Sequence, residues 1–535
     1  MRPFPLEWLL RLLLAICLAA GAPAHALTPA DALALVDGDT DTRIDTLNRL
    51  AAEPDEHATA LIKAMADEAV RVQGERVLIA EGEGAIDAVT GEKLAALPED
   101  ASDIMINNRL RSAMENALAG MELVGAPPER QREAASTLQR TAFEEPDTSQ
   151  LALIDKALAG DLDPRARQSL ELARAAVLLA SEDPAQRLSA AQKLGEAKQP
   201  IVRPLLLTQM EKEEDAQVKA ALKASLSSLD TTLAIGSALG QAFTGISLGS
   251  ILLLAALGLA ITYGLMGVIN MAHGELIMIG AYATWLVQSF FRASLPEYFD
   301  WYLLVALPVA FLASGLVGAA MERTVIRFLY GRPLETLLAT WGISLMLQQL
   351  VRSVFGAQNV GVENPSWMSG GVQLMENLQL PWNRVIIVAF ALAVLGGVAF
   401  LISRTRLGLF VRGVTQNRPI ASCMGVNTAR VDTYAFALGS GIAGLAGCAL
   451  SQVGNVGPDL GQGYIVDSFM VVVLGGVGQL AGTVYAALGL GVLNKFLEGW
   501  TGAVLAKIAV LVFIIIFIQK RPQGIFAVKG RSADA

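Results

Sequence analysis

The sequence predicts an all-α protein in two parts, a polytopic membrane helical bundle preceded by an exported helical domain. The first observation is composition: of 535 residues, 53% are hydrophobic and 17% charged, whereas about a quarter of an average soluble protein is charged. The second is charge: residues 1–235 carry 24 Lys and Arg against 38 Asp and Glu, and residues 236–535 carry 17 against 12. The third is a series of long apolar segments that begins near residue 243. Together they argue against an ordinary soluble enzyme and a disordered chain.

Residues 1–26 have the pattern of a secretory signal peptide. Two arginines precede the short apolar run 12–20, and the residues from Ala24 to Ala26 form an A-x-A cleavage motif. The run is well short of the roughly 20 residues that a membrane span requires. We therefore expect cleavage after Ala26 and export of the acidic part that follows. The alternative is an anchor that stays attached to the chain.

Residues 27–235 are predicted to form an exported helical domain. Apolar side chains recur at helical spacing, and the Asp-Pro pairs at Asp163 and Asp183 are typical of a capping residue followed by a first-turn proline. Pairs of short helices at a spacing of ~40 residues suggest HEAT-like repeats, interrupted by a β-hairpin over 77–89. Such repeats present docking surfaces more often than catalytic sites, and we interpret the carboxylates here as solvated.

Residues 236–535 are predicted to form a membrane domain, because hydrophobic segments follow one another with only short gaps. The segments cover 243–268, 273–291, 302–321, 334–354, 385–402, 431–452, 464–480, 482–497 and 502–519. Glycine and polar residues weaken some of them. The prediction is therefore about nine crossings, with seven crossings and a re-entrant pair as the alternative.

The distribution of positive charge predicts the orientation of this domain. Arginines cluster after the third and fifth segments, and Lys and Arg follow the last, whereas the loops after the second and fourth are poor in both. The positive-inside rule therefore places the C-terminus in the cytoplasm and the N-terminal domain on the periplasmic side. This agrees with the predicted signal peptide and indicates a multi-pass protein of the bacterial inner membrane.

Glycines are concentrated in two of the segments, around 439–447 and 475–478. Small residues three or four positions apart allow helices to approach closely, which is the simpler interpretation. The alternative is that the glycines interrupt helices beside a substrate path, because irregular backbone at membrane depth is tolerated only around a cavity.

Polar residues at the junction of the first two segments form the first candidate site. Asn270, His273 and Glu275 are flanked by apolar runs, and ionisable groups within a membrane are costly unless they are paired or face water. They form either a polar turn at the cytoplasmic surface or an inward segment that lines a pathway, and the sequence does not decide between these. Further candidates for polar path residues are Gln348, Gln349 and Asn455.

A basic stretch after the fifth segment, residues 405–427, is the second candidate site. It is partly amphipathic and ends near Gly425. It is either a plain charged loop that fixes the orientation or a short interfacial helix that docks into a partner protein. Periodicity does not distinguish these two interpretations.

Several catalytic and cofactor motifs are missing from the sequence. It contains no G-x-x-x-x-G-K-[ST] phosphate loop, no H-E-x-x-H and no C-x-x-C. Three histidines and three cysteines argue against a His-rich metal site and a disulfide scaffold. Residues 245–249 match G-x-S-x-G, but they open a membrane segment instead of following a strand. We therefore predict no enzyme activity, no metal and no cofactor in this chain.

Residues 240–530 resemble the permease subunits of branched-chain amino-acid-type ABC importers. The resemblance is carried by the run NMAHGELIMIGAY, by the cytoplasmic stretch TRLGLFVRGVTQNRPIASCMGVNTARVD and by SFMVVVLGGVGQLAGT. Within that family, the run WGISLMLQQLVRSVFGAQNVGV and the exported extension look most like the urea-transport permease. A simple family member lacks the long extension, so the resemblance assigns it no role.

The resemblance implies a transporter subunit that works with several partners. These are a second permease subunit, two cytoplasmic ABC ATPases, a periplasmic solute-binding protein and membrane lipid, with no nucleic acid. The basic stretch would then be the coupling helix that meets an ATPase, and its expected residues are Arg412, Asn417, Arg418, Ala421, Gly425 and Asn427. The expected function is ATP-driven import of a small polar solute, first urea, with a branched-chain amino acid or short amide as the alternative. A membrane-anchored scaffold and a passive channel are alternatives of another class.

Overall fold

The computed structural model describes residues 27–52, 55–82, 84–98, 100–123 and 126–526. The predicted signal peptide, with its cleavage motif at Ala24 and Ala26, lies outside the described residues. The chain divides into two compact units, Met1–Leu233 and Ala234–Ala535. The boundary predicted after residue 235 lies close to this division.

The first unit is built mainly from short helices. They are α1 (Pro29–Asp37), α2 (Thr40–Ala52), α3 (Glu56–Ala66), α4 (Asn108–Glu122), α5 (Pro128–Glu144), α6 (Leu151–Ala159), α7 (Pro164–Leu178), α8 (Pro184–Glu196) and α9 (Val202–Lys212). Both predicted Asp-Pro pairs start a helix. The Asp163 carboxylate accepts the Arg165 N–H at 3.0 Å, and Asp183 accepts the Ala185 N–H at 2.9 Å. Each bond satisfies an N–H group that has no partner within the helix.

A five-stranded antiparallel sheet lies between α3 and α4 in the chain and corrects the all-α prediction for this unit. Its strands are β1 (Val70–Gln73), β2 (Arg76–Glu81), β3 (Gly84–Asp87), β4 (Lys93–Leu94) and β5 (Ser102–Asp103), in the order β4-β3-β2-β1-β5. The predicted hairpin over 77–89 corresponds to β2 and β3. The sequence does not reveal the other strands, because they are too short for an alternating pattern to register.

The core of the first unit consists of alanine and leucine side chains on the inner faces of its helices. Leu35, Leu47, Leu61 and Met114 are at most 1% exposed. Helix α2 packs against α4, and α5 packs against α7. Such packing of amphipathic helices agrees with the apolar periodicity of the sequence, whereas the HEAT-like repeat stays a prediction.

A buried ion pair links two parts of the first unit that are distant in the chain. The Glu213 side chain is 1% exposed, and it accepts hydrogen bonds from Arg187 Nη2 at 2.8 Å and Nε at 2.9 Å. Gln209 Nε2 and the Asp215 N–H donate to the same carboxylate at 3.0 and 3.1 Å. The hydrogen bonds from Arg187 are the main reason that the pKa of Glu213 is lowered to about 2.

Replacing Glu213 with Gln is expected to destabilise the first unit by about 3 kcal/mol at pH 7, because Arg187 loses a buried counter-charge. Since folding lowers the pKa of Glu213 below its ordinary value of 4.5, its contribution is fully present above that pH. The contribution is lost as the pH falls through 4.5 towards 2. Thermal unfolding of the full-length protein in detergent between pH 2.5 and 7 measures both effects.

The exposed neighbour Glu214 provides a matched control for this measurement. Glu214→Gln is expected to cost less than about 0.5 kcal/mol, as is usual for a surface substitution. Equal destabilisation by the two variants would contradict the role assigned to the buried pair.

The second unit is a bundle of long apolar helices. In chain order its elements are α10 (Ala216–Met266), which begins in the first unit, α11 (His273–Ser294), α12 (Tyr302–Thr324), α13 (Pro333–Phe355), β6 (Gly371–Met375), β7 (Leu378–Pro381), α14 (Trp382–Arg404), α15 (Arg406–Gln416), α16 (Arg418–Cys423), α17 (Thr428–Ser451), α18 (Leu460–Gly475), α19 (Leu480–Thr501) and α20 (Ala503–Lys520). Each predicted hydrophobic segment coincides with one of the long helices. The hairpin of β6 and β7 was not predicted.

Seven helices in the described part of the chain are long and apolar enough to cross a membrane. Helices α13 and α18 are outside this set, since α13 carries a row of polar residues and α18 has only 16 residues. By length and composition alone, the number of candidate spans equals the seven crossings of the alternative with a re-entrant pair, and the prediction of about nine crossings is not tested by this count.

Contacts at the two ends of α13 favour its being a further crossing. Near its start, Tyr330 donates to Glu322 at the end of α12, and Thr433 at the start of α17 donates to the same carboxylate. Near its end, Arg352 pairs with Asp459, which follows α17, at 2.5 Å. Helix α13 therefore runs from the start of α17 to its far end. Its 23 residues span about 35 Å, which exceeds the ~30 Å of a hydrocarbon core.

Paired glycines bring helices of the second unit into backbone contact. A Cβ atom on Gly258 of α10 would lie 2.4 Å from the carbonyl oxygen of Gly439 in α17, and one on Gly439 would lie 2.6 Å from that of Gly258. Only residues without a side chain allow such an approach. The tight-packing interpretation of the 439–447 glycines is therefore confirmed at this crossing.

Candidate functional site

The segment 267–275 joins α10 to α11 and contains three of the predicted path residues. Gly267 has a φ of +67°, a left-handed conformation that favours glycine, and it lets the chain turn after α10. Asn270 is 1% exposed, and its Oδ1 accepts the Ala272 N–H at 3.0 Å, which closes the next turn. The turn leads directly into α11 at His273.

This segment contacts α10 and α13 at turns that lie away from the adjacent ends of these helices. His273 is fully buried, and its Nε2 lies 2.9 Å from the carbonyl oxygen of Ala255, about three turns before the end of α10. The Met271 N–H donates at 3.2 Å to the hydroxyl of Thr340, about two turns into α13. Of the two alternatives that the sequence leaves open, these contacts favour the segment that dips inward.

The centre of the site is the carboxylate of Glu275, which is 1% exposed. Its Oε1 accepts hydrogen bonds from Ser344 Oγ at 2.7 Å and Gln348 Nε2 at 2.8 Å, both on α13. Its Oε2 has no hydrogen-bond partner among the described residues. A buried carboxylate oxygen without a partner is costly, so this atom is available to a ligand or to water.

Tyr282 extends the same face of α11. It lies two turns after Glu275, and residues at this spacing point to one side of a helix. Its ring stacks on Phe355 of α13 with the ring centroids 4.8 Å apart, and its buried hydroxyl has no partner in the described part of the chain. Asp459 forms an ion pair at 2.5 Å with Arg352, which lies about one turn before Phe355 on α13. Tyr282 is not among the residues predicted from the sequence, although its spacing from Glu275 was a usable signal.

His273 and Asn270 lie in the same segment but have other neighbours. Because His273 Nε2 donates to a carbonyl oxygen, its Nδ1 is an acceptor, and this atom has no partner among the residues described. The Asn270 Nδ2 donor also has no hydrogen-bond partner among the residues described. Residues two positions apart on a helix point to different sides, so His273 does not share the face of Glu275.

Gln348 reaches the site, whereas Gln349 and Asn455 do not. Gln349 follows Gln348 on α13 but is exposed on another face, and Asn455 is exposed in the loop before α18. The buried polar residues of α13 recur every four positions and form one stripe, Thr336, Thr340, Ser344 and Gln348. This spacing is visible in the sequence, and it could have identified Thr340 and Ser344.

Helices α11 and α18 begin against one another at this site. A Cβ atom on Gly274 would lie 2.6 Å from the carbonyl oxygen of Gly461, and one on Gly461 would lie 2.1 Å from that of Gly274. The helix starts carry partial positive charge, and helices that start within a membrane protein are typical of solute sites in transporters. Within the described part of the chain, no group of three or more His, Cys, Asp or Glu could hold a metal ion.

The second candidate site, 405–427, is helical and forms α15 and α16. The side chain of Asn417 caps α16 by accepting the Ile420 N–H at 3.1 Å, and that of Asn427 caps α17 by accepting the Arg430 N–H at 3.1 Å. Gly425, with a φ of +85°, ends the stretch. Helices over Arg406–Gln416 and Arg418–Cys423, the second of them capped by Asn417, agree with the helical interpretation better than with a plain charged loop.

Helices α15 and α16 have a buried and an exposed apolar side. The buried side packs against α17 and consists of Val411, Val414 and Ala421. The exposed side includes three residues that are 60% to 79% exposed, Leu409, Ile420 and Met424. Arg412 lies on α15, where its Nε donates to the Gly408 carbonyl at 3.3 Å. Exposed apolar side chains next to basic ones are typical of a protein docking surface.

A charged network connects α16 to the ends of α12 and α17. Arg418 of α16 forms an ion pair with the buried Asp432 of α17, and its guanidinium lies 4.8 Å from the centre of the Tyr330 ring. The Tyr330 hydroxyl donates to Glu322 Oε1 at 3.1 Å, and the Thr433 hydroxyl donates to Oε2 at 2.6 Å. A displacement of α16 would therefore disturb contacts at the end of α12 and at the start of α17.

The second unit matches a known protein family over most of its length. A family model described as branched-chain amino acid transport system / permease component matches residues 241–519. No solved structure matches the chain.

Individual relatives agree with the family match. The high-affinity branched-chain amino acid transport system permease protein LivH of Escherichia coli (strain K12) is 30% identical over 295 residues, which cover 54% of this chain and 94% of LivH. BraD of Pseudomonas aeruginosa, of the same description, is 27% identical over 293 residues, 54% of this chain and 95% of BraD. The ribose import permease protein RbsC of Escherichia coli (strain K12) is 26% identical over 204 residues, 36% of this chain and 61% of RbsC. The chain therefore belongs to the family of branched-chain amino acid transport system permease components.

Proposed function

We propose that this chain is the inner-membrane permease subunit of an ABC importer and that the solute passes the crossing of α11 and α18. The observation that carries the proposal is a group of buried polar atoms that have no partner among the described residues, beside two helices that begin against one another. Unsatisfied polar groups at membrane depth are retained where they line a solute path. Family membership supports the transport role.

A branched-chain amino acid is the solute that the relatives support best. LivH and BraD are described as branched-chain amino acid permeases, so the solute given as the alternative in the sequence analysis is better supported than urea.

Urea is the second candidate, because the described residues of the second unit include no buried cation that would pair with a solute carboxylate. The buried charged side chains of the second unit, among the residues described, are all acidic: Glu275, Glu322 and Asp432. A neutral diamide needs no buried cation, and hydrogen-bond acceptors and donors are sufficient to select it.

The energy for import comes from partner subunits in this proposal. The sequence lacks a phosphate loop for ATP, so two cytoplasmic ATPases supply hydrolysis, and a second permease and a periplasmic solute-binding protein complete the complex. Helices α15 and α16 are the coupling segment, which places the C-terminus in the cytoplasm and the first unit in the periplasm.

The packing of α17 suggests how the coupling segment reaches the solute path. Helix α16 is joined to α17 by the ion pair of Arg418 with Asp432. Helix α17 in turn contacts α10 at Gly439 and Gly258. Closely packed helices move as rigid bodies because their interfaces have few intermediate arrangements. A shift of α16 on ATP binding would thus be transmitted to the helices around Glu275.

Uptake of radiolabelled leucine and urea by the complete complex in vesicles tests this proposal. We expect leucine uptake that requires ATP hydrolysis and the solute-binding protein. Uptake of urea alone would establish the second candidate, and flux without nucleotide would indicate a passive channel. A complex that contains no ATPase and transports neither solute would support the scaffold alternative.

A further inference from the structure

We infer that the face of α11 that carries Glu275 and Tyr282 binds an N–H group of the transported solute, with Glu275 Oε2 as the acceptor. The inference rests on the proposed transport function and adds the chemistry by which the solute is recognised. The N–H group is the ammonium of an amino acid or the amide of urea.

The Glu275 carboxylate is fixed and half satisfied. Ser344 and Gln348 hold its Oε1 from α13 at 2.7 and 2.8 Å, which sets the direction of the whole group. Its Oε2 is buried and has no partner among the described residues. An oriented acceptor of this kind forms its strongest hydrogen bond with a charged N–H donor, since hydrogen bonds that involve an ionised group are stronger than neutral ones.

The charges around Glu275 select for the same kind of group. Asp459 is paired with Arg352 at 2.5 Å and both side chains are partly exposed, so this pair adds little net charge to the face. The carboxylate of Glu275 repels an anion and attracts a cation or an N–H donor. The Tyr282 hydroxyl, which has no partner among the described residues, can accept a second N–H.

The wall beside these polar groups is apolar, and it distinguishes the two candidate solutes. Met278 lies between Glu275 and Tyr282 on the same face of α11 and packs in one cluster with Val351, Val456 and Phe355. A solute with an ammonium group and a branched aliphatic side chain matches both the acceptor and the wall, whereas urea matches only the acceptor. This site therefore favours leucine-like solutes over urea.

The decisive variant is Glu275→Gln in the complete complex, assayed for leucine and urea uptake with saturating solute-loaded binding protein. The amide keeps an oxygen for Ser344 and Gln348 but replaces the free acceptor with a donor that opposes the solute N–H. We expect uptake of the transported solute to fall by about 10- to 100-fold.

The control is Glu376→Gln, which removes an exposed carboxylate in the turn between β6 and β7, and its uptake should be unchanged. Tyr282→Phe provides a second test because it removes only a hydroxyl and keeps the ring against Phe355. Uptake by both Glu275→Gln and Tyr282→Phe within twofold of the original would overturn the inference. If Glu275→Gln does not assemble, Tyr282→Phe decides, with an expected loss of about threefold or more. Failure of the original complex to transport either solute would instead contradict the proposed function.

Discussion

Gly461→Ala is expected to reduce solute uptake at least about tenfold, although it adds a single methyl group. The new Cβ atom would lie 2.1 Å from the carbonyl oxygen of Gly274 and 2.3 Å from its carbonyl carbon. These are backbone atoms, which cannot rotate away as the end of a side chain can. Overpacking of this kind costs about 1–3 kcal/mol, and relief requires the start of α11 to move. The residue after Gly274 is Glu275, so the displacement reaches the proposed site directly.

The same helix provides the control for this experiment. Gly463 lies in α18 two positions after Gly461, and a Cβ atom there would meet no atom within 4 Å. Gly463→Ala therefore adds the same methyl group to the same helix without a clash. Both variants are compared in the assembled complex by uptake and by the thermal stability of the purified protein. Similar uptake by the two variants would contradict the close helix crossing on which the site depends.

The long helices of the second unit could be predicted because hydrophobic length is a strong and local signal. Each of the nine expected segments coincides with a helix, from α10 to α20. The secondary structure of the first unit was harder to predict. The helix starts marked by the Asp-Pro pairs at Asp163 and Asp183 were recognisable, but strands β1, β4 and β5 were not. Strands of two to four residues are specified by their partners in the sheet and carry almost no pattern of their own.

The candidate site was predicted in part, and each group of its residues shows a different limit of the sequence pattern. Asn270, His273 and Glu275 stand out as polar residues among apolar ones, but their depth depends on how far Gly267 turns the chain back. Gln348 continues the four-residue polar spacing of Thr336, Thr340 and Ser344, and Gln349 does not, but the spacing alone does not show which neighbouring helix this stripe faces. Tyr282 was missed because a tyrosine in a membrane helix is usually interpreted as packing or as an interfacial anchor.

Reversal of one charge in the cytoplasmic network is expected to separate ATP hydrolysis from import. Arg418→Asp would place a carboxylate beside the buried Asp432 and remove the cation above the Tyr330 ring. Like charges repel, and Asp432 is buried although Arg418 is 40% exposed, so the contact between α16 and α17 should weaken. We expect uptake to fall by at least about tenfold, because the buried Asp432 carboxylate loses its counter-charge.

The double variant Arg418→Asp with Asp432→Arg distinguishes a lost connection from a misfolded protein. It restores opposite charges at the same two positions, and we expect at least partial recovery of uptake. Arg404→Asp is the matched control, because it reverses an exposed charge at the end of α14, outside the network. Co-purification of the ATPases and their hydrolysis rate are measured for all three variants.

The pattern across these measurements identifies what the network does. If it transmits movement, Arg418→Asp still binds the ATPases and hydrolyses ATP, but hydrolysis no longer responds to solute-loaded binding protein. If α16 only attaches the ATPases, the variant loses them, and hydrolysis disappears together with uptake. If the network is incidental, Arg418→Asp behaves like Arg404→Asp. The first result is expected, because Glu322 and Asp432 join α16 to two long helices and not to the exposed apolar surface that would meet a partner.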